Sequence, residues 1–187
     1  DRVIVSTDDD EIAEVAKAYG AEVPFVRPAL LAGDFIGLLP VIKNAIDWLD
    51  SNNSKLQNIC CISATAPLIQ KNFIQESYEQ FIETKADYCF GVTTFPYPIQ
   101  RAIKITKKNR VEMFYSQYFD VRSQDLEESY HDAGQFYWGR PLAFREERIL
   151  FSKSSSPYII PRHLVQDIDT PEDWFRAELM YKVLQKS

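Results

Sequence analysis

A short apolar run followed by a helical stripe recurs four times in the first half of this 187-residue chain, and few folds accommodate that rhythm. Arg2 to Ser6 is strand-like and leads into Thr7-Asp8-Asp9-Asp10-Glu11. There Thr7 or Asp8 suits a helix N-cap and the acids favour the positive helix end. Ile12, Val15, Ala16 and Tyr19 follow at helical spacing, with Gly20 as the stop. Ala21 to Val26 is a second short strand, closed by Arg27-Pro28. Gly33-Asp34 opens a helix lined by Leu39, Ile42, Ile46 and Leu49, with Pro40 tolerated in its first turns. Asn58 to Ser63 is a continuous apolar run of the kind covered on both faces. The spacing of Phe73, Ile74, Tyr78, Phe81 and Ile82 predicts a helix over 71–84, and 87–93 is the next strand. Regular alternation of this kind predicts an α/β layered fold with a largely parallel central sheet.

The rhythm breaks after Thr94. Phe95-Pro96-Tyr97-Pro98 is a rigid turn, 101–106 and 110–115 read as two strands, and 116–132 is polar. Residues 107–132 are therefore expected to leave the layered core, as a dimerisation or lid excursion from one domain over 1–187. Strands return at 134–138 and 158–160. Thr170-Pro171-Glu172-Asp173 caps a last helix to about 185.

Composition narrows the function classes. Apolar residues make up 45% and charged residues 26%, which excludes a disordered or collagenous chain. A net charge of −6 argues against nucleic acid as a partner. No apolar run approaches the roughly 18 residues of a membrane helix. The cysteines Cys60, Cys61 and Cys89 lack zinc spacing and read as buried thiols of a cytoplasmic protein. The chain does not open on Met, and Arg2 to Ser6 reads as a buried strand rather than a frayed start, so further sequence is expected upstream.

In open α/β sheets, ligands bind beyond the carboxyl ends of the strands. That rim is expected to hold Ser6-Thr7-Asp8-Asp9, Arg27, Ser63 to Pro67, Thr93-Thr94 and Asp132 to Tyr137. Asp167 and Asp169, two residues apart, can converge on one hard cation, or can be solvated acids ahead of a helix start. Arg27, at a strand end, offers a fork of donors to a phosphate or a base carbonyl. Gln100-Arg101 and Arg122 are candidates for a carboxylate or phosphate clamp. His131 and His163 are the two histidines and share no metal spacing. The Gly-rich dinucleotide and P-loop fingerprints and the Ser nucleophile elbow are absent. Phe136, Tyr137 and Trp138 read most simply as core.

Six segments together resemble one family. Val5 to Asp9, Gly20 to Pro28, Ala64 to Pro67 and Asp167 to Asp173 resemble the cytidylyltransferases that activate nonulosonic (sialic-type) acids. Phe95 to Ala102 and His131 to Gly139 look like the pseudaminic acid branch. The resemblance implies a Rossmann-like nucleotide-sugar-transferase fold, a homodimer, and a reaction of CTP with an acidic nine-carbon sugar giving a CMP-sugar and pyrophosphate, for surface glycan or flagellin glycosylation. It implies Mg²⁺ (or Mn²⁺) held by Asp167 and Asp169, which would be the catalytic carboxylates. It implies nucleotide contacts from Arg27, Ser6 and Thr65. The sugar pocket would draw on Ser63, Gln100, Arg101, Arg122, His131, Gln135 and Tyr137, with Leu150 and Phe151 near its apolar wall.

Several positions depart from the sialic acid members. Gln100 stands for a sugar-facing lysine, whose charge Arg101 can supply, His131 for an arginine, and Ser63 for a glutamine. Arg122 matches an arginine that reaches in from the excursion. These departures argue against N-acetylneuraminic acid and for a differently substituted sugar. The family's Gly/Lys-rich loop after its first strand has no counterpart, so the chain as given is expected to start at the second core strand and to be inactive. The alternatives are a cytidylyltransferase for legionaminic, sialic or 3-deoxy-octulosonic acid, or a truncated nucleotide-binding relic.

Overall fold

The computed structural model describes residues 2–185. The chain divides into two compact units, one of residues up to Ile59 with Gly139–Ser152, the other of Cys60–Trp138 with the residues from Lys153.

The first unit holds α1 (Asp10–Ala18) and α2 (Leu38–Ser51). Helix α1 is capped by Asp9, one or two residues later than expected, because its carboxylate reaches the Ile12 amide at 2.8 Å. Gly20 follows the helix at φ +88°, the left-handed conformation a helix stop requires. The expected apolar stripe is not a core face: Ile12 and Val15 are more than half exposed and α1 buries no residue. Residues 2–6 and 21–26 differ from the expected pair of strands. They meet through parallel bridges at Ile4–Glu22 and Thr7–Val26. The backbone bonds Val5 N–Glu22 O, Glu22 N–Val3 O and Arg27 N–Thr7 O are too widely spread for a continuous ladder. Val3, expected buried, is 68% exposed.

Helix α2 starts at Leu38, after Gly37, and buries the predicted Ile42, Ile46 and Leu49. They face α4 (Pro141–Arg145), whose Ala143 and Phe144 are fully buried. Pro141 at its first position supplies the helical φ. Lys43–Glu147 and Arg145–Asp50 ion pairs flank this packing, and Phe25 meets Trp48 at 5.5 Å. The pairs are partly exposed and contribute little beside the burial of Ile46 and Phe144.

The second unit is built on a four-stranded sheet. Its strands are β1 (Ile59–Ile62), β2 (Tyr88–Thr94), β5 (Tyr130–Gly139) and β6 (Ser155–Ile159), in the order β1-β5-β2-β6. Strands β2 and β6 are parallel, with Gly91 opposite Tyr158. The Phe95 amide bonds the Ser129 carbonyl, joining the end of β2 to the start of β5, so β5 runs antiparallel and the sheet is mixed. Strand β5 begins at Tyr130, so the last residues assigned to the excursion belong to the sheet. The excursion instead includes the antiparallel ribbon of β3 (Ile103–Ile105) and β4 (Val111–Met113).

Helix α3 (Lys71–Thr84) occupies the predicted span and buries Phe73, Ser77 and Phe81 against the sheet. Phe73, Ala133, Phe136 and Ile160 form the centre of the core, with Tyr158 and Trp138 packed on it. Each such ring contributes on the order of 1.5–3 kcal/mol by leaving water. Ser77, fully buried in α3, accepts from the Trp138 indole at 3.1 Å. Gly91 is the close approach in this core: a Cβ there would lie 2.6 Å from Ile160 Cδ1. Helix α5 (Pro171–Leu184) opens with a Thr170–Asp173 capping box, as its sequence predicts. Among the described residues, no helix is long and apolar enough to cross a membrane.

Candidate functional site

The polar residues of the second unit gather where β1, β2 and β6 end and β5 begins. The loop after β1 carries Thr65, whose hydroxyl donates to Asp167 Oδ1 at 2.9 Å across 102 positions of sequence. Asp167 also accepts from the Ile168 amide at 3.0 Å, which turns the backbone towards Asp169. Both carboxylates are exposed. Asp169 makes no side-chain hydrogen bond among the described residues, so its oxygens are open to a ligand.

Strand β5 supplies the adjoining wall. Gly134 has φ +64°, and a Cβ on it would lie 2.8 Å from Asp167 Oδ2. The absence of a side chain there is what lets the Asp167 carboxylate lie against the strand. Asp132 accepts from the Gly134 amide at 2.9 Å and from the Tyr137 hydroxyl at 2.6 Å. Burial, then the hydrogen bond to Asp132, pushes the Tyr137 phenol above its ordinary range, so it remains a donor. The phenol is therefore part of a polar pair, and not merely the core ring its sequence suggests. Asp132 was legible only as part of the rim. The signal that marks it is the Asp-x-Gly spacing of an Asx turn.

The other predicted sugar contacts sort into two places. Gln100 donates to the Glu127 carbonyl at 3.0 Å and Arg101 to Ser123 Oγ at 3.4 Å. Ser123 and Glu127 line a groove of about 290 Å³ between the 95–98 turn and the 123–129 segment. Arg122 stands beside it but is engaged by Asp125, at 2.7 and 3.1 Å. His131 donates from Nδ1 to the Asp132 carbonyl at 2.8 Å and sets its ring 4.8 Å from Phe95, another groove residue. Gln135 is fully buried, and its amide holds the Leu164 carbonyl at 2.7 Å. Ser63 pairs through its backbone with Gln135.

In the first unit the structure brings together Arg27 and Ser6. Arg27 Nε donates to Ser6 Oγ at 3.2 Å, and its guanidinium also bonds the Ser6 carbonyl. Leu150 is partly buried and Phe151 exposed in that same unit.

A cation of the Mg²⁺ type takes oxygen donors and is held by one or two carboxylates together with waters and substrate phosphates. The donor set of Asp167 and Asp169 fits that chemistry. Among the described residues no group of three or more His, Cys, Asp or Glu is placed to hold a metal ion.

A cytidylyltransferase family model matches residues 1–182. The chain belongs to the cytidylyltransferases. Two pseudaminic acid cytidylyltransferases of Campylobacter jejuni strains, 81-176 and NCTC 11168, are 44% and 45% identical to it; each match spans all of this chain and 81% of the relative. Among solved structures, a CMP:2-keto-3-deoxy-manno-octonic acid synthetase complexed with CTP superposes with a TM-score of 0.64 at 10% identity. That match covers 100% of this chain and 82% of the other, and it shows the nucleotidyltransferase fold. The enzyme class and fold expected from the six sequence segments are thereby established.

Proposed function

We propose that this cytidylyltransferase joins CMP from CTP to the anomeric hydroxyl of pseudaminic acid. The hydroxyl oxygen attacks the α-phosphorus and gives up its proton to water, the bond to the bridging oxygen breaks, and pyrophosphate leaves with both electrons of that bond. The observation that carries this reading is identity of 44% and 45%, over the whole chain, to enzymes named for that sugar. The donor set at Asp167 and Asp169 supports Mg²⁺ (or Mn²⁺) as the cofactor, which when bound would offset charge on the triphosphate and on the leaving pyrophosphate. Thr65 orients the Asp167 carboxylate through its hydroxyl. Tyr137, donating to Asp132, fixes that carboxylate as an acceptor for a sugar hydroxyl, and Gln100, Arg101, His131 and Arg122, beside the groove, meet its polar substituents. Arg27, steadied by Ser6, serves the nucleotide. The exposed apolar residues Ile103, Ile105, Val111, Phe114 and Phe119 support a homodimer formed through the excursion. The enzyme works in the cytoplasm, where CTP is made.

The test offers pseudaminic, N,N'-diacetyllegionaminic, N-acetylneuraminic and 3-deoxy-octulosonic acids in parallel. The protein is expressed from its complete reading frame and supplied with CTP and Mg²⁺. Pyrophosphate release is expected with pseudaminic acid. Release only with another acid, or with none, overturns the proposal.

A further inference from the structure

The segment that carries Asp167 and Asp169 is held by a side chain with no place in the binding scheme above. Gln166 is only 8% exposed. Its amide nitrogen donates to the Asp167 carbonyl at 2.7 Å and to Asp173 Oδ1 at 3.0 Å. Both partners are acceptors, so the position calls for a donor, and the orientation of the Gln166 amide is fixed by them.

Asp173 is more than the cap of α5. Its second oxygen accepts from the Thr170 hydroxyl at 2.7 Å, the Thr170 amide at 3.0 Å and the Asp169 amide at 3.4 Å. These bonds hold the carboxyl below its usual range, the Thr170 hydroxyl contributing most. One carboxylate thus gathers the backbone of Asp169 and Thr170 and, through Gln166, the carbonyl of Asp167. A helix cap alone needs the Thr170 bonds. The bonds to Gln166 and Asp169 reach back over the two exposed acids.

We infer that Gln166, acting with Asp173, is a positioning residue that sets the backbone of Asp167-Ile168-Asp169 so that its two carboxylates meet one divalent cation. The inference rests on the cation reading of those acids. Partners of this outer kind typically govern metal affinity by about 10- to 100-fold. A purely structural role for Gln166 would change thermal stability and leave cation affinity alone.

The experiment measures Mn²⁺ binding in the presence of CTP by electron paramagnetic resonance, against a protein-free CTP blank, well below each variant's melting temperature. Wild type, Gln166→Glu, Gln166→Met and Asp169→Asn are compared. Gln166→Glu keeps the volume but turns an acceptor towards two acceptors. Gln166→Met removes both bonds without adding charge, and carries the test if the Glu variant fails to fold. Both Gln166 variants are expected to weaken Mn²⁺ binding by about 10-fold or more. Wild-type affinity in Gln166→Met, with binding lost in Asp169→Asn, overturns the inference and leaves the cation reading standing. Wild-type affinity in Asp169→Asn, or no wild-type binding above the blank, overturns the cation reading and the inference with it.

Discussion

Replacing Gly134 by Ala separates stability from cation binding. Gly134 lies at φ +64°, where an L side chain costs about 1–2 kcal/mol. The new methyl would sit 2.8 Å from Asp167 Oδ2 and 3.1 Å from its Cγ. Asp167 is exposed, so its carboxylate can swing away. The collision then costs little beyond the Thr65 hydrogen bond, worth about 0.5–1.5 kcal/mol net. The sum is about 1.5–3.5 kcal/mol, a fall in melting temperature of about 3–14 °C for a chain of this size. Gly20→Ala is the matched control, because its φ is +88° and no atom lies within 4 Å of the added carbon. Both variants should be destabilised, Gly134→Ala by about 0.5–1.5 kcal/mol more because it alone loses the Thr65 hydrogen bond. Only Gly134→Ala should shift the Mg²⁺ dependence of pyrophosphate release, by about 10-fold, since only it displaces a carboxylate. Melting curves and Mg²⁺ titrations of the two proteins provide the comparison. An unchanged Mg²⁺ dependence in Gly134→Ala would refute the placement of Asp167 against β5 as a working arrangement.

Gly91→Ala should destabilise the second unit by about 1–3 kcal/mol, because Ile160 Cδ1, 2.6 Å from the new carbon, must shift within a core where Ile160 is 1% exposed; urea unfolding measures it, and a neutral result contradicts the packing. Phe81→Ala empties a fully buried site and should cost about 3–5 kcal/mol in the same assay. Burial pushes the Cys60 thiol up to about 12 and the Cys61 and Cys89 thiols to about 11. Alkylation at pH 8 should therefore be slow in the native protein and complete in denaturant. Because burial holds these thiols above their ordinary pKa of 9.0, they favour folding below that pH. Their contribution is lost as pH rises through 11 to 12, so melting temperature should fall above pH 9. Rapid native alkylation at pH 8 would contradict the burial.

Local physics made much of this fold legible. The stripe of Phe73, Phe81 and their neighbours is one face of a helix, and the helix forms where the stripe lies. The Thr170–Asp173 box announces itself by residue type and spacing. Pairing was less legible, because the direction of β5 depends on which strand lies beside it, and no periodicity encodes that. Ile12 and Val15 have the spacing of a buried face yet remain exposed, since periodicity names a face without naming what covers it. In the candidate site, Asp167 and Asp169 stood out as two acids two residues apart. The Tyr137–Asp132 pair and the Gln166 brace join residues close in sequence, but they depend on the left-handed turn at Gly134 and the bend after Gln166, which strand and helix periodicity do not encode.

On the proposed function, Asp167 and Asp169, after β6, hold the cation needed for cytidylyl transfer. Pyrophosphate release and the mass of CMP-pseudaminic acid should be followed at limiting Mg²⁺, in wild type and in Asp169→Asn. The substitution keeps the volume and lies on the surface, so stability should change by no more than about 0.5 kcal/mol. Product is expected from the wild type and almost none from Asp169→Asn at an unchanged melting temperature. Turnover by Asp169→Asn at the wild-type rate would contradict it.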